Sequence, residues 1–542
     1  MKANHLVWIR RVSQTFFLIL FIFLLVESRL PQDIYLDYSI ALDAKQNIEL
    51  DYPVKYFFQL DPLIWITSLI SGHQWIKGFG WALGIVVLTF FFGRIFCSFI
   101  CPLGTIHHMA SYIRPALKKQ RMVSANQKHS SQRFKYFLLI LFLMSALLGL
   151  NLTGLLDPIS FFFRSLALAV FPGVGTGIKE LLDLAAQSNI KILNYISYTG
   201  EVLISPVFGY GYKAFKSAWF IGILFLFILF LNRIRPRFWC RTLCPLGALL
   251  GIFARFSILR LEKDPEKCTN CNLCLLSCQG AASPMPGQEW DATECMLCFN
   301  CFNSCPENAI AFKLAWPPRV NKKPDMGRRA VLGGLLAGLS FPLLGRLDGR
   351  LHHVSDARLI RPPGSLPEKD FLKLCQRCGL CMKVCPTNAI NPTLTEAGIA
   401  GFWTPNLIMT QGYCEYTCTL CSGVCPTGAI RKLSGKEKIE SPIRIGSAYI
   451  DRGRCLPWSG NGPCIVCEEH CPTSPKAIRF IQGTSLSLTG KKMNVKLPYV
   501  DLKSCVGCGI CEFKCPVKGN PAIRVIAAGE SRSVANQILL TL

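Results

Sequence analysis

The cysteines constrain this chain more than any other feature: there are 28 in 542 residues, most of them two or three residues from the next. That spacing is too tight for a disulfide framework and suits metal ligation. Cys97, Cys101, Cys240 and Cys244 form two isolated pairs, and the other 24 divide without remainder into six quartets. In chain order these are Cys268, Cys271, Cys274 and Cys278; Cys295, Cys298, Cys301 and Cys305; Cys375, Cys378, Cys381 and Cys385; Cys414, Cys418, Cys421 and Cys425; Cys455, Cys464, Cys467 and Cys471; and Cys505, Cys508, Cys511 and Cys515. Four quartets have the spacing C-x2-C-x2-C-x3-C, and five of the six end in Cys-Pro. In runs of that kind three close cysteines hold one [4Fe–4S] cube and the fourth ligates its neighbour. Zinc sites use two pairs, often with histidine, and only His470 lies inside any quartet. The sequence therefore predicts six [4Fe–4S] clusters on these 24 cysteines.

In the first two quartets, Cys268, Cys271 and Cys274 should share a cluster with Cys305, and Cys295, Cys298 and Cys301 with Cys278. Gln279 stands where proline usually follows the fourth cysteine. Among the last four quartets, two regular ones flank two irregular ones, and nested pairing is favoured, outer with outer and inner with inner. Four cysteine ligands leave a cube no open position for substrate, so the chemistry expected is one-electron transfer. There is no Cys-x-x-Cys-His for covalent haem, no Gly-x-Gly-x-x-Gly and no Gly-x4-Gly-Lys-Ser/Thr. Those absences argue against an NAD-linked enzyme or an ATPase.

The chain is 51% hydrophobic and carries a net charge of +26. A nucleic-acid binder could share that charge, but here the basic residues flank apolar runs, the pattern of membrane topology. Four apolar stretches precede residue 245, at about Ser13–Val26, Phe79–Phe96, Tyr136–Leu156 and Trp219–Leu231. No acid occurs from Ser98 to Lys135, where Arg114, Lys118, Lys119 and Arg121 lie, whereas Arg29–Gly78 holds four basic and six acidic residues. The positive-inside rule then places the N-terminus and the end of the fourth stretch in the cytoplasm.

The membrane part repeats. Leu60-Asp61-Pro62 and Leu156-Asp157-Pro158 precede the second and fourth stretches; Arg94-Ile95-Phe96-Cys97 and Arg237-Phe238-Trp239-Cys240 follow them, each leading into Cys-Pro-Leu-Gly. Each half reads as two spans, with Asp-Pro at the outer face and the cysteine pair at the inner end. Matching sites at a repeat interface are where membrane proteins often place function. Cys97, Cys101, Cys240 and Cys244 are candidates for a metal or redox site, or for structural turns. Asp61 and Asp157 are candidates for taking protons from quinol, or are helix caps, since Asp before Pro is a strong helix start. His107 and His108 could ligate haem but read more readily as solvated, and His73 is a weaker candidate. A Pro-rich basic linker at 313–326 leads to Arg328-Arg329 before the apolar run Ala330–Gly345, which fits a twin-arginine export signal retained as an anchor.

Residues 1–312, with both Cys-x3-Cys-Pro motifs and two quartets, resemble the NapH-type four-span ferredoxin proteins. Residues 327–542 resemble the NapG/MauM-type proteins: they share the twin-arginine leader, the run Arg361-Pro362-Pro363-Gly364-Ser365-Leu366-Pro367-Glu368, and quartets beginning Cys375-Gln376-Arg377-Cys378-Gly379-Leu380-Cys381. Those two types are usually separate polypeptides, and here they are joined. The resemblance implies oxidation of quinol from the membrane quinone pool and delivery of electrons to a downstream redox protein or periplasmic reductase, nitrate reductase foremost. Related membrane units implicate the alternative of a copper-reducing or assembly factor for an oxidase or reductase. The expected architecture is multidomain: an all-α transmembrane four-helix unit (1–260), an α+β bacterial-ferredoxin-like two-cluster domain (261–315), a linker with signal and anchor (316–366) and a four-cluster ferredoxin domain (367–542). The expected location is the bacterial inner membrane, with the first ferredoxin domain cytoplasmic and the last periplasmic. No nucleic-acid partner is expected.

Overall fold

A computed structural model describes residues 3–28, 50, 54–73, 75–76, 78, 80–111, 119–208, 214–216, 218–315, 326–347, 357–441, 443–486, 492–533 and 536. Most of the expected basic linker, the acidic stretch 29–49, Arg114 and Lys118 lie outside them. The chain divides into two compact units: Met1–Val26, Val54–Val170 and Trp219–Pro342 form one, and Glu27–Pro53, Phe171–Ala218 and Leu343–Leu542 the other. The main helices are α1 (Ala3–Glu27), α2 (Pro62–Gly72), α3 (Gly80–Phe92), α4 (Pro102–Ala110), α5 (Phe134–Leu147), α6 (Pro158–Ala186), α7 (Lys191–Phe208), α8 (Ala218–Phe230), α9 (Pro245–Ala254) and α10 (Arg328–Leu347).

In the first unit, four helices begin at an X-Pro step. The residue before proline is driven to extended backbone, and proline at the first helical position gives up only an N–H that has no partner within the helix. Asp61, Cys101, Asp157 and Cys244 are accordingly extended, with ψ of 109°, 115°, 132° and 106°. Each caps its own helix. Asp61 accepts from the Leu63 N–H at 2.8 Å and the Ile64 N–H at 3.3 Å, and Asp157 from the Ser160 N–H at 2.8 Å. The thiols do likewise: Cys101 Sγ accepts from Gly104 at 3.4 Å and Cys244 Sγ from Gly247 at 3.2 Å. The glycines of Cys-Pro-Leu-Gly have a steric reason as well. A Cβ at Gly104 would sit 2.7 Å from the Cys97 carbonyl, and one at Gly247 2.6 Å from Arg94 Nη2.

Around these helix starts the packing is aromatic. Phe21 stacks on Phe162 at 5.3 Å and meets Phe57 edge-on at 5.1 Å, while Phe161 stacks on Trp239 at 4.6 Å. The expected apolar stretches are helical, but α3, α5 and α8 have 13, 14 and 13 residues. At 1.5 Å per residue each reaches about 20 Å, short of the ~30 Å of hydrocarbon. Among the described residues, two helices are long and apolar enough to cross a membrane, Asn4–Glu27 and Pro158–Ala186. The second was not among the four expected stretches. Lys179, Glu180 and Asp183 interrupt its apolar run in sequence, yet the helix passes without a break through a π turn at Leu166–Val170.

Beyond α9, strands β1 (Leu259–Lys263) and β2 (Ile310–Leu314) pair antiparallel, with Leu261 opposite Phe312, and enclose two short helical turns, Leu273–Ser277 and Asn300–Asn303. This is the expected α+β ferredoxin arrangement. In α10, Gly334 and Gly338 face α5: a Cβ at Gly338 would lie 2.7 Å from Met144 Cβ, and Ser145 Oγ donates to the Gly338 carbonyl at 3.4 Å.

In the second unit, Phe171–Ala186 and α7 form an antiparallel hairpin, with Phe171 and Phe208 5.7 Å apart and Gly200 against Leu182. The last cysteine-rich region is built on short strand pairs: β3 (Ile390–Pro392) with β4 (Pro405–Leu407), β5 (Ser447–Ile450) with β8 (Ile523–Ile526), and β6 (Ile478–Leu486) with β7 (Lys492–Val500). Its first residues differ from the linker expected up to 366. Leu359, Ile360 and Arg361 are buried. Arg361 is held by Glu368 at 2.5 Å, by Thr404 Oγ1 at 2.8 Å and by the Pro405 carbonyl at 2.6 Å. Gly364 (φ 83°) turns tightly against the Arg431 carbonyl, which a Cβ would approach to 2.7 Å. The Arg-Pro-Pro-Gly run is thus the first part of the folded domain.

Candidate functional site

The two repeats bring their cysteines together. Cys97, Cys101, Cys240 and Cys244 are all buried, and Cys97, Cys101 and Cys240 are all within electrostatic reach of Cys244. Asp157 is within reach of Cys101, and the Asp61 and Asp157 carboxyls interact with each other. This corrects the expectation of Asp-Pro and Cys-Pro at opposite faces. Both aspartates do cap helices, and that role is compatible with their facing each other.

The arginine three residues before each cysteine pair heads the repeated motif, but the sequence assigned it no role. Arg94 and Arg237 are buried, and both reach the first ferredoxin domain. Arg94 Nη1 donates to the Thr293 carbonyl at 3.0 Å and lies 3.9 Å from Glu294. Arg237 Nε donates to Gln279 Oε1 at 3.0 Å, and its Nη1 lies 3.2 Å from Met296 Sδ. Glu294 is further held by Lys135 at 2.5 Å, with both side chains buried. The histidines differ from the solvated reading. His107 and His108 are buried, His107 Nδ1 against Asn232 at 3.1 Å and His108 Nδ1 against Gln279 at 2.5 Å. His73 is exposed and caps the C-terminus of α2.

Among the described residues, cysteines ring four small, partly open pockets. One is lined by Cys268, Cys271, Cys274 and Cys305, another by Cys278, Cys295, Cys298 and Cys301. In the last domain, Cys425 joins Cys375, Cys378 and Cys381, and Cys515 joins Cys455, Cys464 and Cys467. Cys385 lies within electrostatic reach of Cys414, Cys418 and Cys421, and Cys471 of Cys505, Cys508 and Cys511. Nested pairing is therefore not what the fold brings together: each quartet exchanges its fourth cysteine with its neighbour in sequence.

The local backbone suits a cluster. In the four regular quartets the residue before the second cysteine (Asn270, Leu297, Arg377, Gly507) and the one two before the third (Asn272, Phe299, Gly379, Gly509) have positive φ. Alternation of that kind turns successive N–H groups inward and makes an anion-binding concavity, as at many Fe–S sites. The irregular quartets lack it, with Thr419 at φ −123° and Ile465 at φ −127°. Burial pushes the thiols of Cys295, Cys418, Cys467 and Cys508 up to about 12. Massed thiols that resist ionisation so strongly need a cation to become ligands, and iron supplies it. Among the described residues no group of His, Cys, Asp and Glu is placed to share a single metal ion. The thiols surround space of the kind a polynuclear group occupies.

Lys438 is a residue that sequence reading missed. It is buried in the short helix Gly435–Glu440, with Nζ 3.5 Å from Cys414 Sγ and 2.7 Å from the Cys418 carbonyl. Burial opposes its charge, but the neighbouring thiols raise it above the usual lysine range. The only signal was a lysine four residues beyond a serine helix cap, just after the fourth quartet.

Comparison with known proteins supports iron–sulfur binding. A family described as a 4Fe–4S binding domain matches residues 75–120 and again 217–262, and one described as a 4Fe–4S dicluster domain matches 374–429. The methylamine utilization ferredoxin-type protein MauM of Paracoccus denitrificans is 35% identical over 204 residues, 36% of this chain and 83% of that protein. The ferredoxin-type protein NapG of Escherichia coli is 35% identical over 211 residues, 38% of this chain and 87% of that protein. The uncharacterized protein MJ0749 of Methanocaldococcus jannaschii is 28% identical over 261 residues, 47% of this chain and 78% of that protein. No solved structure matches the chain.

Proposed function

The chain belongs to the ferredoxin-type iron–sulfur electron-transfer proteins that include MauM and NapG, and from that premise we propose that it is a membrane-bound quinol dehydrogenase, a NapH-type membrane part joined to a NapG-type electron conduit. One observation carries the reading: the two Arg-x-x-Cys-x3-Cys-Pro repeats meet in a single buried site whose arginines reach residues next to Cys278 and Cys295. The domains are residues 1–260 and 261–315, a linker from 316, and a last cluster domain that takes in the Arg361-Pro362-Pro363-Gly364 run as well as 367–542. The 24 quartet cysteines hold six [4Fe–4S] clusters, which supply one-electron transfer. Cys97, Cys101, Cys240 and Cys244 line the site of quinol oxidation or its relay, and Asp61 and Asp157 accept the two protons that quinol releases. The acceptor is a downstream redox protein or periplasmic reductase, nitrate reductase foremost.

The membrane part is multi-pass in the bacterial inner membrane, α10 remains as an anchor, and the last domain is periplasmic. Contacts within the second unit support that placement. Lys216 Nζ pairs with Glu396 at 2.8 Å, Asn388 donates to the Ala214 carbonyl at 2.5 Å, and the Lys216 N–H donates to Asn391 at 2.9 Å. On this reading the last domain and the segment between α6 and α8 share a side. A protease added to intact spheroplasts should cut beyond Gly364; protection until lysis, unchanged when Arg328 and Arg329 are both replaced by lysine, refutes export.

The functional test uses the full chain, anaerobically reconstituted. A menaquinol analogue should bleach the visible cluster absorbance, and Cys97→Ala or Cys240→Ala should abolish that while dithionite still reduces the clusters. Four converging buried thiols favour one second reading, a copper-reducing or assembly factor. It is selected if the purified chain binds stoichiometric Cu(I) through these four cysteines and quinol fails to reduce the clusters.

A further inference from the structure

Gln279 is the one residue that breaks the Cys-Pro ending of the quartets, and its contacts give the reason. Its Oε1 is shared by Arg237 Nε at 3.0 Å and His108 Nδ1 at 2.5 Å, one on each repeat. A proline there would offer no acceptor. Cys278 before it is extended (φ −82°, ψ 96°), as a residue preceding proline must be.

The other contacts converge on the same cavity. Arg94 holds Thr293 and Glu294 immediately before Cys295, and Arg237 reaches Met296 immediately after it. Leu297 and Phe299, on either side of Cys298, pack with Val7, Ile95 and Phe99 beside Cys97. The cavity of Cys268, Cys271, Cys274 and Cys305 has the opposite character. Cys271 is exposed, and the lining includes Lys267, Asn270 and Glu307.

We infer that the cluster held by Cys278, Cys295, Cys298 and Cys301 is the first acceptor of electrons from the membrane repeats, that the one held by Cys268, Cys271, Cys274 and Cys305 is the second, and that Gln279 is the positioning residue that docks the first acceptor. The direction of flow rests on the quinol-dehydrogenase reading. Each quinol oxidised to quinone releases two protons and two electrons, and each oxidised cluster accepts one electron. The carboxylates and water take the protons.

The experiment uses the full reconstituted chain and two readouts. Redox titration followed by EPR gives cluster potentials; the two sites are told apart in Cys298→Ala/Cys301→Ala and Cys271→Ala/Cys274→Ala backgrounds. Arg237→Gln removes a cation beside the first acceptor, so the potential of that cluster should fall while the Cys268-site cluster stays unchanged. Stopped-flow reduction by a menaquinol analogue is the second readout. Gln279→Leu and Gln279→Pro should slow it roughly tenfold, the scale of one lost charge-assisted hydrogen bond, while leaving the iron content intact. Gln279→Glu, which keeps the acceptor, should restore it.

Equal rates in Gln279→Leu, Gln279→Pro and wild type overturn the positioning role. Quinol reduction that survives loss of the Cys298-site cluster but not loss of the Cys271-site cluster overturns the order. If quinol reduces nothing even in the wild type, the functional reading has failed, and the potentials alone decide the docking: a shift at the Cys271 site, or at neither, overturns it.

Discussion

Which cysteines share a cluster in the last domain can be read by counting iron. With six cubes the full chain carries ~24 irons. Cys378 and Cys381 line one cavity together with Cys375 and Cys425. Replacing both with alanine removes half of that ligand set, and the cube should be lost, leaving ~20 irons. A third substitution then discriminates. Adding Cys425→Ala should cost nothing further, because its cavity is already empty of cluster. Adding Cys515→Ala instead removes a ligand from the separate cavity of Cys455, Cys464 and Cys467. That should drop the count to ~16, or to ~19 if a three-iron remnant survives. Nested pairing demands the reverse: iron would fall with Cys425→Ala and hold with Cys515→Ala. The assay is anaerobic iron and sulfide determination on purified protein, with EPR to detect any three-iron remnant. The reversed order of losses would refute exchange between neighbouring quartets and with it the fold-based assignment.

Three further outcomes follow from buried charge and close packing. Lys135→Met strands Glu294, with Arg94 3.9 Å away as the remaining cation, and should destabilise the first unit by about 3 kcal/mol; thermal unfolding in detergent should show most of that recovered in Lys135→Met/Glu294→Gln. Burial disfavours the charge of Glu368, but Arg361 and Arg532 outweigh it and hold the carboxyl at about 2, below the ~4.3 of an unfolded chain. Its contribution to stability is therefore complete above pH ~4.3 and lost as pH falls towards 2, so Glu368→Gln should flatten the acid limb of a tryptophan-fluorescence unfolding profile over that window. Gly338→Leu places a side chain where Met144 Cβ is 2.7 Å and the Leu141 carbonyl 2.9 Å from a bare Cβ; separation of α10 from α5 should cost about 1–3 kcal/mol, whereas Leu336→Ala on the exposed side of α10 should change thermal stability by less than about 0.5 kcal/mol.

The sequence by itself determined the local chemistry. Quartet spacing needs no long-range information, because three cysteines within seven residues and a Cys-Pro after them already shape one ligand set; the two-cluster fold between β1 and β2 follows from it. The X-Pro helix starts were equally legible, since proline dictates the conformation of the residue before it. Only the tertiary structure decided which sets meet. Nested and neighbour exchange are indistinguishable in spacing, and the choice came from the turns that bring Cys425 to Cys375 and Cys515 to Cys455. The paired aspartates were placed at the wrong end because a hydropathy pattern gives the apolar length of a segment and not where its helix starts in space. Arg94, Arg237, Lys135 and Lys438 were counted as topology charges or passed over. A buried cation looks the same in sequence as a solvated one, and only its partners, Thr293, Gln279, Glu294 and Cys414, drawn from 24 to 199 residues away, reveal it.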